Sequence, residues 1–158
     1  MSARVVSLES VEQTRARGRQ LGQLLQGGDF VALVGSLGAG KTELTRAICE
    51  GAGVPLSQVS SPTFAIVQSY LGGRLPLHHA DLYRMGSEDE LYATGFFELQ
   101  DAQGAMVVEW VDQVPRAAPA DHLRLELRIT SPNARALTAA SQGPRAEALL
   151  AAWLGESS

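Results

Sequence analysis

The chain has 158 residues, a mass of 16.8 kDa and a formal net charge of −4, from 13 basic and 17 acidic side chains. Its length fits one domain with its own core, and a composition that is 45% hydrophobic and 19% charged excludes a disordered chain, a collagen-like repeat and a disulfide scaffold. The acidic balance makes the chain a poor autonomous ligand for nucleic acid, and one cysteine, no apolar run of membrane-spanning length and no leader-like opening lead us to expect a cytoplasmic protein with no membrane association.

Ser10-Val11-Glu12-Gln13 has the form of a capping box and opens a first helix, which Gly27 and Gly28 are expected to stop. Residues 29–34 (DFVALV) read as a short buried strand, and residues 41–50 as a helix with Gly51 and Gly53 behind it. Residues 64–70 (FAIVQSY) and 75–81 read as strands joined by a turn at 71–74 (LGGR). A second capping box, Ser87-Glu88-Asp89-Glu90, opens a helix that ends at Gly95. Residues 105–110 (AMVVEW) are another buried strand. Leu123, Leu125, Leu127 and Ile129 alternate with Arg124, Glu126 and Arg128, the pattern of a half-buried strand. Residues 144–154 close the chain as an amphipathic helix. The only internal seam, residues 115–119 (PRAAP), is too short to separate a pair of domains, so residues 1–158 are expected to form one.

Buried strands alternating with helices imply an α/β fold with a largely parallel core sheet. The hairpin around Gly72 and Gly73 and the strand at 123–129 are expected to be antiparallel additions to it.

Gly35-Ser36-Leu37-Gly38-Ala39-Gly40-Lys41-Thr42 matches G-x-x-x-x-G-K-[ST] in full, between an apolar strand and a helix. By accident such a match arises in roughly 0.5% of chains of this length. Its glycines let backbone N–H groups converge on phosphate oxygens, and the helix N-terminus adds partial positive charge. Lys41 would reach the terminal phosphates, and the Thr42 hydroxyl would ligate Mg²⁺. Twelve of the thirteen basic residues are Arg, so the only Lys of the chain stands where a phosphate-directed point charge is required. These residues predict a three-layer sandwich of the P-loop nucleotide-hydrolase kind.

Such a site also requires an acid at the end of a neighbouring strand. Glu109 closes the run Ala105-Met106-Val107-Val108 and is the candidate metal ligand. Asp81 closes His78-His79-Ala80 and suits an acid that orients the attacking water or backs the metal's outer shell. Adjacent strand residues face opposite ways, so His78 and His79 make a poor pair of ligands for one transition metal. Thr63, in Ser61-Pro62-Thr63-Phe64, lies about twenty residues after the loop and could act as a switch residue or simply precede a strand. Arg15, Arg17 and Arg19 read as a solvated face, and Cys49 as a packing residue. A guanine-reading Asn-Lys-x-Asp segment is absent, because the only lysine is already in the loop, so ATP is the expected nucleotide.

The motifs G-x-L-G-A-G-K-T (residues 35–42), S-P-T-F (61–64), H-x-D-L-Y-R (79–84) and V-E-W (108–110), in this order, closely resemble the bacterial TsaE (YjeE) family. That family supplies the ATPase component of tRNA threonylcarbamoyladenosine biosynthesis. The resemblance spans about residues 10–110. It implies that TsaB and TsaD are partners, with tRNA reached only through them. It also implies that Lys41 binds phosphate, that Thr42 and Glu109 hold Mg²⁺, that Asp81 serves hydrolysis and that Thr63 acts as a switch. Trp110 would line the nucleotide site or a partner surface, and Thr14 would lie near the base. The chain departs from the family at Ser36, where Asp is usual, and at Glu43, where a small hydroxyl residue is common. Two other readings remain open on residues alone: a small-molecule kinase, and a nucleotide-gated binding module in which hydrolysis is incidental.

Overall fold

The computed structural model describes residues 2–36, 38–59, 66–100 and 103–155. Within them the strands β1 (Ser2–Leu8), β2 (Phe30–Gly35), β3 (Val67–Tyr70), β4 (Leu77–Asp81), β5 (Ala105–Glu109), β6 (His122–Ile129) and β7 (Arg135–Gln142) form one sheet, in the order β1-β7-β6-β2-β5-β4-β3. The central strands β6, β2, β5 and β4 run parallel, while β3 on one side and β7 on the other run against them, and β1 pairs antiparallel with β7 at the far edge. The helices are α1 (Val11–Leu24), α2 (Lys41–Gly51), α3 (Glu88–Ala93) and α4 (Pro144–Leu154). One apolar cluster joins α1, α2 and α4 to one face of the sheet; a second packs α3 and short 3₁₀ turns on the other. This is the expected α/β sandwich, with its apolar strands buried between two helical layers. Among the described residues no helix is long and apolar enough to cross a membrane.

Three differences from the sequence reading have physical causes. β6 belongs to the parallel core, paired with β2; its antiparallel neighbour is β7, which the sequence did not announce. Alternation reports that one face is covered and says nothing of the neighbour's direction. β1 and β7 pair from Ser2↔Ser141 to Leu8↔Arg135. Each is rich in small or polar residues and each gains its strand form from the other. Ile129 is exposed rather than buried, because it ends β6 at the hairpin turn, beyond the helical layer. Pro115–Ala117 is a 3₁₀ turn whose Ala117 is fully buried, and β5 and β6 on either side both pair with β2.

Ser10 caps α1 by accepting from the Gln13 N–H at 3.2 Å, and Gln13 reaches back to the Glu9 N–H at 2.8 Å, one residue before the expected partner. The helix stops at Leu25, ahead of the two glycines, where Asp29 accepts from the Gln26 N–H and closes a turn. α4 has a glycine at its N-cap, so its free N–H groups are met from outside: Asp121 accepts from Arg145 and Ala146, both at 2.9 Å.

The seam between α1 and α2 decides where the first helix lies. Gly18 and Gly22 are four residues apart and share one face of α1. A Cβ on Gly22 would stand 2.0 Å from the Ile48 carbonyl oxygen, one on Gly18 2.5 Å from the Ala47 Cβ, and one on Gly51 2.1 Å from the Arg19 carbonyl oxygen. The two backbones therefore touch directly. Ion pairs Arg15–Glu43 at 3.0 Å and Arg19–Glu50 at 3.4 Å flank the seam, so two of the three arginines on α1 face α2 rather than open solvent. Being half exposed and screened by water, these pairs contribute little to stability. Gly22→Ala is expected to destabilise the chain by about 3 kcal/mol or more, because backbone cannot yield as a side-chain tip does. Urea unfolding of this variant beside Gly72→Ala, whose Cβ would meet only the Gln58 side chain, measures the difference.

Candidate functional site

The parallel register brings the chemistry together. Leu33 of β2 pairs with Glu109 of β5, and Asp81 of β4 pairs with the same Glu109. The loop that follows β2 and the two carboxylates thus emerge side by side at the carboxyl ends of the core strands, where open α/β sheets place ligands. Beyond Glu109 the backbone turns sharply. Trp110 adopts φ 60° and ψ 38°, the left-handed region, and its N–H donates to the Leu33 carbonyl at 3.1 Å. A non-glycine residue there costs about 1–2 kcal/mol. The turn lays the indole ring over Lys41, with Nζ 4.1 Å from the ring centroid, and Tyr83 packs on the indole at 4.8 Å.

Lys41 opens α2 and is buried; its ammonium also donates to the carbonyls of Gly35 and Ser36. Burial lowers its pKa, and Glu109, Asp112 and Asp81 partly offset that. Asp81 shows the opposite tendency: burial raises its pKa and the Glu109 charge adds to this, against the Tyr83 N–H that it accepts at 3.0 Å and the nearby His79 and Lys41. Glu109 is 5% exposed, and its Oε2 lies 2.6 Å from His79 Nε2. His78, next in chain, bonds Ser69 instead, through Nδ1 at 2.7 Å.

The loop itself carries Gly38 at φ 81° and Gly40 at φ 104°, and a Cβ on either would meet open space. Their glycines serve conformation, turning peptide groups in a way that side-chain-bearing residues resist. Thr42 is exposed in the first turn of α2. A cavity of about 560 Å³ runs from the loop to α1, lined by Ser10, Thr14, Gly38, Ala39, Gly40 and Arg135. Thr14, buried on α1, thus stands where a base would be expected if phosphates occupied the loop. Glu43 turns toward Arg15. Cys49 is a packing residue whose thiol burial pushes up to about 12. Leu37 and the segment Ser61-Pro62-Thr63-Phe64 lie outside the described residues, the expected switch threonine among them.

Three contributors escaped the sequence reading. Arg135, at the start of β7, donates from Nε to the Ala39 carbonyl at 2.9 Å and from a terminal nitrogen to the Gly38 carbonyl at 3.4 Å. It holds the loop from 96 residues away, and no local pattern announces that. Asp112 joins the carboxylates around Lys41. His79 meets Glu109, a contact that the spacing of His79 and Asp81 on one strand face allowed but did not require.

The donor set fits a hydrated divalent cation. The charges of Glu109, Asp112 and Asp81 all act on the Lys41 ammonium, an excess of negative charge. Among the described residues no three His, Cys, Asp or Glu side chains converge on one point. A metal here would take one or two protein oxygens and complete its shell with water and phosphate, which is how Mg²⁺ is usually held.

Sequence comparison adds to this geometry. The family profile described as "Threonylcarbamoyl adenosine biosynthesis protein TsaE" matches residues 8–137. The chain is 37% identical over 138 residues to the Bacillus subtilis tRNA threonylcarbamoyladenosine biosynthesis protein TsaE, covering 87% of this chain and 85% of that one. It is 42% identical over 116 residues to the Streptomyces coelicolor protein of the same name, covering 72% and 77%. The crystal structure of Bacillus subtilis YdiB superposes with a TM-score of 0.80 at 28% identity, over 96% of this chain and 94% of that one.

Asp81 carries a measurable cost. A raised carboxyl pKa means that the folded chain holds this proton more tightly than the unfolded chain does. The cost grows as pH rises above the ordinary value of 3.8 and is complete above the folded-state value. Asp81→Asn is therefore expected to melt at a higher temperature than the wild type at pH 7, with the gap closing as pH falls below 3.8. Melting curves of the two proteins across pH measure this.

Proposed function

The chain belongs to the TsaE family of threonylcarbamoyl adenosine biosynthesis proteins, and from that premise we propose that it binds and hydrolyses Mg·ATP, coupling turnover to a TsaB–TsaD complex that modifies tRNA. The observation that carries this reading is the meeting of Lys41, from the loop after β2, with Glu109, from the end of β5, through the Leu33↔Glu109 register.

Each residue then has a task. The N–H groups of the 35–42 loop and the first turn of α2 face the phosphates, and Gly38 and Gly40 permit that backbone path. The Lys41 ammonium moves from its carbonyl partners to the terminal phosphates, where their negative charge offsets the burial that weakens it. Thr42 and Glu109 hold Mg²⁺, which supplies charge neutralisation at the transferred phosphoryl group. Asp81, half buried and opposite Glu109, accepts a hydrogen bond from the attacking water and orients it. Thr14 and the cavity beside it take the nucleoside. Trp110 and Tyr83 cover the phosphate side and thin out water around Lys41. With an acidic surface overall, the chain leaves the holding of tRNA to its partners.

Steady-state phosphate release from Mg·ATP, with and without the TsaB–TsaD pair, tests the proposal. Slow release alone and stimulation by the pair are expected. Glu109→Gln should lower turnover by about a hundredfold or more, and Lys41→Ala should weaken nucleotide binding by about tenfold or more, the scale of a lost charge-assisted hydrogen bond. Absence of stimulation, with turnover only when a small phosphoryl acceptor is added, would overturn this reading in favour of a kinase.

A further inference from the structure

The buried His79–Glu109 contact asks for an explanation that the nucleotide site does not supply by itself. Both side chains are almost inaccessible, at 4% and 7%, and the Nε2–Oε2 distance is 2.6 Å. The other ring nitrogen, Nδ1, is buried without a hydrogen-bond partner among the described residues. An ionised carboxylate only accepts, so Nε2 carries the hydrogen and donates it, while Nδ1 meets no partner. The ring therefore has one hydrogen bond, made to Glu109.

That bond limits what Glu109 can do. Its cross-strand neighbour is Asp81, a like charge on the same face of the sheet. A carboxylate beside another carboxylate is pushed to rotate or to swing away. With Oε2 committed to a ring that is itself buried, the rotation of the group is restrained, and Oε1 is the oxygen left free of that bond. We propose that His79 is a positioning residue for Glu109: its Nε2–H fixes the carboxylate so that the nucleotide-bound chain takes up Mg²⁺ at lower concentration. The inference rests on Glu109 as a magnesium ligand, the role assigned above, and names the group that makes it a good one. Groups that orient metal ligands in this way are typically worth about 10–100-fold in metal affinity.

The test is calorimetric titration of the full chain with ADP, in EDTA and over a series of Mg²⁺ concentrations, so that no turnover is involved. In the wild type, Mg²⁺ should tighten ADP binding. In His79→Ala the Mg²⁺ concentration for half of that effect should rise about tenfold or more, while ADP affinity in EDTA stays within about twofold. His79→Gln, whose amide N–H can reach where Nε2 stood, should return the midpoint to within about threefold of wild type. His79→Asn, whose amide is too short to reach, should behave as the Ala variant and provides a polar substitute if the Ala variant does not fold. An unchanged midpoint in folded Ala or Asn variants overturns the proposal, as does an equal loss of ADP affinity with and without metal, which would mark the contact as purely structural. Indifference of wild-type ADP binding to Mg²⁺ is a separate outcome: it removes Glu109 as a metal ligand and the proposal with it.

Discussion

Glu109 and Asp81 can both act on the Lys41 ammonium only if the strands that carry the two acids stop at the level of the loop after β2. The pairings Leu33↔Glu109 and Asp81↔Glu109 impose that condition. A slip of one residue along β5 would turn Glu109 to the other face of the sheet and place Val108 beside the loop. The apolar run from Ala105 to Val108 is what holds the register, since each of these residues is at most 2% exposed. Burial of the strand and placement of the acid are therefore one requirement, and the core between the helical layers is also the mount of the site.

The cluster stands at some cost to the fold. Lys41 is buried, Asp81 faces a like charge, and Trp110 occupies a left-handed conformation that no glycine relieves. These features collect within one turn of the strand ends. Their compensation lies in the surrounding contacts, chiefly the apolar clusters on the two faces and the direct seating of α1 on α2. The arrangement gives up stability where charge must be concentrated and regains it in the packed layers.

Much of this was legible in the residues. The glycine-rich loop, the acid closing an apolar strand and both helix caps depend on local chemistry, and local chemistry leaves a trace in spacing. The fold class followed from the alternation of buried strands and helices. What stayed hidden depends on partners distant in the chain. β1 and β7 have little pattern of their own and exist as strands because each pairs with the other. Gly18 and Gly22 look like weak points in a helix until α2 is seen against them. Arg135 sits in a polar stretch without periodicity, and His79 sits in a motif whose acid drew attention first. The reading of residues 123–129 as an antiparallel addition failed for the same reason: the sequence of one strand carries no record of its neighbour's direction.

The clasp of Arg135 on the loop also sets an order of events during synthesis. The loop and both strand-end acids are present once β5 has been made, yet the guanidinium that braces Gly38 and Ala39 belongs to a strand made later. β1 is in the same position, its amides waiting for β7, with the pairing Ser2↔Ser141 spanning almost the whole chain. Contacts of such long sequence separation form late and slowly. A nascent chain can thus assemble the parallel core while its first strand remains an open edge, exposed to pairing with other chains. The loop after β2 reaches its braced form only when β7 has been made and has paired, so the site is completed well after its own residues are in place.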